Sequence, residues 1–392
     1  MHLRVLPDLS AVPPHEWNAL DLGGSPFVRH EFLRTLEETG CVGADTGWQP
    51  RHLALYHDAR AERLVGAVPL YLKTHSYGEY VFDWAWARAY ARAGHAYYPK
   101  LVAAVPFTPA TGPRLLVDPA SDRSEVTGRL LDGALALARE LEASSLHWLF
   151  PTEPEADFLA ARGLLKRTGY QFHWSNSGYR DFDDFLSRFT ANKRKKIRQE
   201  RRYVREAGVR LRVVSGGAAE ARDWEALYRF YRSTIARYEG VPYLSREFFH
   251  AIGRRLPERV VLVMAEQSGA CIAAALNFRG DEALYGRYWG GRPGVNGLHF
   301  ETCYYAAIEY CIAAGLKRYE AGAQGEHKVA RGFAPVATYS SHWLAHPRFS
   351  GAVADFLSRE QLAVAGYMDE LREHLPFKAT VAENGGTRSE RV

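Results

Sequence analysis

Hydrophobic and polar positions are most legible in the last third of the chain. Residues 259–265 are β-branched and apolar, Gln267-Ser268-Gly269 is a polar turn, and 270–278 is apolar again. This reads as an antiparallel hairpin, and 283–289 follows as a third strand. From 299 to 314 apolar residues fall at 300, 303/304, 307/308, 311 and 314, which is helical spacing, and Gly315 ends the helix. A strand at 316–321 then lies parallel beside an earlier one, and 336–344 supplies another. The first half follows the same order, a helical stretch at 130–141 leading into a strand at 146–150.

The two halves share motifs as well as a plan. Ala161-Arg162-Gly163 precedes His173-Trp174, and 169 residues later Ala330-Arg331-Gly332 precedes His342-Trp343, with eleven residues from Arg to His both times. Upstream, 67–72 corresponds to 273–278, each after a strand and a polar turn, at 58–63 and 267–269. A repeat this long is a duplicated domain; solenoid units run to about 20–50 residues. The expected organisation is α/β in two related domains, 1–180 and 208–380, joined by a helical connector at 181–207 and followed by a polar tail, 381–392. The connector is basic: positions 193–205 hold eight Lys or Arg and one acid, and Ile197 and Val204, seven apart, leave one face able to pack. Further helices are expected at 219–236 and 350–374.

Composition narrows the class. Of 392 residues, 47% are apolar, 24% charged and 13% aromatic, which is globular and too rich in rings for a disordered chain. The net charge of +5 is too small to argue for nucleic acid unless its distribution does. The four cysteines form no CxxC pair, so neither a disulfide framework nor a zinc cluster is expected. His147, His173 and His342 sit beside tryptophans and read as packing; no metal is expected. No run of 18 apolar residues occurs and the first residues lack a signal-peptide core, so a cytoplasmic monomer or homodimer is expected.

Chemistry concentrates at 320–331, just past the carboxyl end of a parallel strand, where open α/β sheets bind ligands. Glu320, Gln324, Glu326, His327, Lys328 and Arg331 fall within twelve residues. Glu320, Glu326 and His327 are candidates to accept a proton, and Lys328 and Arg331 to hold an anion; a helix cap knitted by salt bridges is the plainer reading. Gly290, Gly291, Gly294 and Gly297, with Arg287, precede helix 299–314 and suit a pyrophosphate cradle, although Pro293 removes one donor and loop flexibility explains the glycines equally well. Glu301 and Tyr304, in the first turns of that helix, and Gln324 are candidate substrate contacts, with Glu301 equally fitting a cap. In the first half Glu79, Asp83, Lys100 and Arg114 are candidate substrate contacts, Arg114 as an anion clamp or a wedge between the halves. Lys193, Arg194, Lys196 and Arg198 suit phosphates, of tRNA or of a coenzyme, or form a solvated face.

Longer blocks carry a resemblance over nearly the whole chain. They are Glu79-Tyr80-Val81-Phe82-Asp83-Trp84, Tyr97-Tyr98-Pro99-Lys100-Leu101, Val105-Pro106-Phe107-Thr108-Pro109, Gly112-Pro113-Arg114, Leu298-His299-Phe300-Glu301-Thr302-Cys303-Tyr304-Tyr305, and Glu320 to Lys328 followed by Arg331-Gly332-Phe333. The order of parts resembles the GNAT N-acyltransferase fold. Two copies joined by a basic helix resemble the Fem-type aminoacyl transferases of peptidoglycan synthesis, and more closely the FemAB-like family of predicted N-acyltransferases. The resemblance implies tandem GNAT-like domains with the active site in the second. It also implies transfer of an acyl or aminoacyl group, from acyl-coenzyme A or aminoacyl-tRNA, to an amine on a small molecule or lipid-linked acceptor such as a cell-envelope precursor. Gly322, Gly325 and Lys328 are placed like a Fem-type strand end and lysine, but Arg331-Gly332-Phe333 departs from the Phe-Gly order. The loop at 290–297 also lacks the compact Arg/Gln-x-x-Gly-x-Gly/Ala pattern. A non-catalytic binding or regulatory protein on a degenerate GNAT fold is the alternative.

Overall fold

The computed structural model describes residues 1–58, 63–237, 240–323 and 325–378; Gln324, the tail 381–392 and part of the turn at 58–63 lie outside them. The apolar runs of the first half form β1 (His2–Leu6), β2 (Trp48–Pro50), β3 (His52–Tyr56), β4 (Leu64–Val68), β5 (Leu70–Lys73), β6 (Lys100–Ala103), β7 (Leu116–Val117), β8 (Ser145–Leu149) and β9 (Leu165–Ser175). Later come β10 (Arg210–Ser215), β11 (Val260–Gln267), β12 (Ala270–Arg279), β13 (Ala283–Gly291), β14 (Arg318–Glu320) and β15 (Ala334–Leu344). β1-β3-β4-β7 make a small sheet, and eleven strands make one mixed sheet in the order β10-β11-β12-β13-β14-β9-β15-β8-β6-β5-β2. Helices flank it, so the fold is α/β with a large central sheet.

At the centre the strands interleave: β9 pairs with β14, and β15 pairs with β8. β9 and β15 pair with each other antiparallel, Leu165 facing His342 and His173 facing Ala334. Gly169 faces Thr338, its own counterpart at the 169-residue shift. A local two-fold relation therefore passes between these two residues, and a Cβ on Gly169 would press to 3.2 Å from the Thr338 hydroxyl.

The connector differs from a single helix. Phe182–Ser187 ends before Phe189, whose buried ring packs on Phe185 and Phe377, and Thr190 N–H donates to Pro376 O at 2.9 Å. The basic helix is then Ala191–Glu206, seated through Ile197 and Val204, each side chain contributing about 1.5–3 kcal/mol by burial. The helix expected at 299–314 is helical from Leu298 to Ala313, but residues Glu301–Tyr305 form a wider π turn. There the Thr302 hydroxyl donates to Leu298 O at 2.8 Å and draws the backbone out of regular register. Helices Ala221–Arg237 and Pro347–Glu373 match the last two expected. Among the described residues no helix is long and apolar enough to cross a membrane.

Candidate functional site

β13 and β14 run parallel but pair over only three residues, Ala283–Tyr285 against Arg318–Glu320. Beyond them the strands part. The divergence starts at a bulge: Leu276 pairs with Tyr288 and Asn277 with Gly286, leaving Arg287 as the extra residue. The gap is a cavity of about 120 Å³ lined by Asn277, Gly286, Cys303, Tyr304, Tyr319 and Gly322 among others. Gly286 is required, because a Cβ would lie 2.7 Å from the Tyr319 hydroxyl. That hydroxyl donates to Cys303 O, and burial pushes both the Tyr319 phenol and the Cys303 thiol above their ordinary pKa. Trp289 closes the outer end, its ring 4.7 Å from His299 and its Nε1–H bonded to the Thr302 hydroxyl at 2.7 Å. Burial, reinforced by His327, Arg331 and Lys328, lowers the His299 pKa to about 4.

The turn Glu326–Arg331 follows the lining residues Ala321 and Gly322 in the chain and meets the cavity through Tyr304. His327 Nε2 lies 2.9 Å from the Tyr304 hydroxyl. Burial and then the charges of Arg331 and Lys328 lower the His327 pKa, so its imidazole is neutral at pH 7 and able to accept a proton. Gly325, at φ 112°, makes room: a Cβ there would sit 2.5 Å from the His327 ring. Lys328 is 1% exposed and donates to Gly322 O at 2.7 Å; burial brings its pKa down to about 8. Cutting it back to alanine would leave a void, so Lys328→Ala would cost stability as well as remove the charge.

Arg331 locks this turn. Its guanidinium lies 3.3 Å over the Phe300 ring, and donates to Tyr305 Oη at 3.0 Å, to His327 O at 2.8 Å and to both carboxylate oxygens of Glu200 at 2.8 and 3.0 Å. The one acid within the basic run thus anchors the turn, and the Arg331 donors are engaged within the protein.

On the far side of the Tyr304–His327 pair lies a groove of about 700 Å³, lined by His327, Glu326, Tyr80, Phe82, Phe172 and Arg167 among others. The Tyr304–His327 hydrogen bond therefore bridges the wall between wedge and groove. Glu326 accepts from Tyr367 at the groove's rim. Glu320 points elsewhere: it is buried, accepts from Arg318 at 2.9 Å and lies 3.8 Å from His173. Gln324 falls outside the described residues.

The remaining candidates divide between scaffold and surface. Gly290 and Gly291 belong to β13 and not to a loop; a Cβ would lie 2.4 Å from Phe230 O at the first and 2.8 Å from Ala273 Cβ at the second. Gly297 begins the following helix at φ 82°, where a Cβ would meet Glu200 O at 2.9 Å, and Gly294 faces open space. Arg287 donates to Phe107 O. Glu301 pairs with Arg201 at 2.9 Å, as Glu309 does at 2.7 Å. Lys100 binds Glu79 at 2.8 Å, Asp83 and Ser76, all buried, so this trio lies beneath the segment that carries Tyr80 to Phe82 and not in the groove. Desolvation raises the Glu79 pKa to about 7. Arg114 is 1% exposed; it donates to Leu149 O, Gly112 O, Pro113 O and Ala110 O, and its backbone N–H to Glu155. β6 and β8, the parallel pair of the first half, are thereby capped by the loop 104–115, whereas β13 and β14 stay open. Exposed Arg198 and half-buried Arg194 line a basic cleft of about 1090 Å³ together with Arg202 and Arg205, whereas Lys193 and Lys196 are exposed outside its lining.

Asn277, Tyr319 and Trp289 escaped the sequence reading. Asn277, a lone amide in an apolar strand, was a signal; the other two look like ordinary core. No group of three or more His, Cys, Asp or Glu side chains among the described residues is arranged to hold a metal ion.

The FemAB-like family, peptidoglycan biosynthesis/recognition, matches residues 8–379. The fold is similar to the crystal structure of FemX, at 12% identity and TM-score 0.54 over 90% of this chain and 100% of that one. It is also similar to L-PGS from Bacillus licheniformis, at 10% identity and TM-score 0.50 over 82% and 95%. No curated protein matches.

Proposed function

The chain belongs to the FemAB-like family, and from that premise we propose that it is an N-acyltransferase built on two GNAT-like units, with the transfer site in the second. The observation that carries the reading is the opening between β13 and β14, joined to a larger groove through Tyr304 and His327. The wedge receives the acyl end of the donor, and the amine approaches from the groove. The amine nitrogen attacks the acyl carbonyl carbon, forming the C–N bond; the carbon–sulfur or carbon–oxygen bond to the donor breaks as the tetrahedral oxyanion collapses. Neutral His327 accepts the amine proton; the Tyr304 hydroxyl beside it passes a proton to the leaving group and is reprotonated by His327 across their hydrogen bond, so both end as they began. Buried Lys328, bonded to the wedge-lining Gly322 through its carbonyl, stabilises the oxyanion charge from behind that backbone.

Two donors fit different surfaces. Acyl-coenzyme A suits the wedge, but the glycines offered as its diphosphate cradle are partly consumed in packing. Aminoacyl-tRNA suits the same wedge together with the basic cleft along Ala191–Glu206. Acyl-coenzyme A mixtures and charged tRNA, each incubated with primary amines and read by mass spectrometry, test the proposal. One donor yields an amide product, and His327→Ala lowers its rate at least about a hundredfold. Absence of product with every donor, or full activity in that variant, rejects it.

A further inference from the structure

The groove beside His327 has a chemical polarity that the transfer reading leaves unused. Helix Pro347–Glu373 runs along it: the Tyr367 hydroxyl donates to Glu326 at the His327 end, and Glu360 binds Arg167 through two 2.7 Å contacts at the other. Seven helical residues span about 10 Å, which sets the distance between the two ends. The rest of the lining is mixed: Val81, Phe150, Phe172 and Val364 supply apolar surface beside Gln171 and Ser340. Phe82 lines the groove and is 58% exposed, and Phe356, one turn before Glu360 on the same helix face, is 39% exposed. Phe82 thus stands in water at the Arg167 end of the groove, and Phe356, beyond the lining, stands in water one helical turn from Glu360. Arg167, whose third contact is Phe82 O at 2.9 Å, ties both lips together.

Charge sorts in the same direction. Arg167 is spent on Glu360, and the residual charged group of the described lining is Glu326, beside His327. A phosphate or nucleotide would meet a carboxylate there, whereas an ammonium would be matched.

We infer that the groove binds an amphiphilic primary amine, its head at Glu326 and His327 and its alkyl chain running past Arg167 to Phe82 and Phe356. The inference rests on the transfer reading for the amine's role as acceptor, but the binding it describes is measurable without any donor. Each buried methylene adds about fourfold in affinity, so chain length is the sensitive variable.

Calorimetric titration of the full chain with butylamine, dodecylamine, dodecanol and dodecyl phosphate, below their micelle concentrations, tests it. Dodecylamine binds at least about a hundredfold more tightly than butylamine and more tightly than dodecanol or dodecyl phosphate. Phe82→Ser weakens dodecylamine by about tenfold and leaves butylamine unchanged, while Val241→Ser, at a residue 77% exposed and outside the groove lining, changes neither. Equal affinity for short and long amines, tightest binding of the phosphate, or equal effects of the two substitutions overturns the inference. Dodecylamine binding without acyl transfer from any donor would reject the transferase reading and leave this one standing; transfer confined to butylamine would do the reverse.

Discussion

Lys328 permits a test in which sign and size both follow from its surroundings. The ammonium is 1% exposed, its hydrogen bond goes to a neutral carbonyl, Gly322 O, and burial lowers its pKa from 10.5 to about 8. A displacement of roughly 2.5 units corresponds to about 3 kcal/mol. Between about pH 8 and 10.5 the folded lysine has released its proton while the unfolded one still holds it, so the unfolded state binds more protons and stability rises with pH. Lys328→Met keeps the apolar stem and removes the titration. Urea unfolding from about pH 7 to 11 should show the wild type gaining up to about 3 kcal/mol on the variant across that window, with a flat difference below pH 8. Other titrating groups cancel in the difference. Parallel curves would mean that water reaches the ammonium and that the turn Glu326–Arg331 does not close over it.

Gly290→Ala places a Cβ 2.4 Å from Phe230 O, and backbone cannot swing aside, so thermal unfolding should report a loss of about 1–3 kcal/mol. Arg114→Met leaves buried Glu155 without its cation and strips four carbonyls of donors; about 3–5 kcal/mol is expected by chemical unfolding, and a loss under 1 would refute the assignment of this arginine as the plug of the first half. Because the His327 pKa lies below 6.5, the acid limb of the transfer rate should fall below that pH and disappear in His327→Ala; a limb above pH 7 would point to another base.

The local architecture was legible because it follows from periodicity. The hairpin of β11 and β12, the helix ending at Gly315 and the basic helix with its Ile197 and Val204 seam are all short-range patterns. The exchange of β9 and β15 was not legible, because alternation tells which residues share a face but not which distant strand they join. The repeated His-Trp motifs were its trace: His173 meets Glu320 across β14, and His342 meets His147 across β8 at 2.7 Å between their Nδ1 atoms. Among the site residues, the block at 320–331 read as one polar turn, yet the structure turns Glu320 away, sets His327 between two cavities and buries Lys328 and Arg331. Charge in a sequence does not reveal partners: Arg331 found Glu200, 131 residues away, and Arg114 found backbone carbonyls. Spacing likewise could not separate the packing glycine Gly290 from Gly325, whose open side admits His327.

Filling the wedge tests the central claim most directly. Ala321 lines it and is half-buried, so Ala321→Trp occupies much of the 120 Å³ from its mouth without crossing the core. The rate of amide formation from the donor that proves active should drop at least about a hundredfold, since the acyl carbonyl can no longer reach its geometry, while circular dichroism and unfolding stay close to wild type. Undiminished transfer in that folded variant would place the chemistry somewhere other than between β13 and β14.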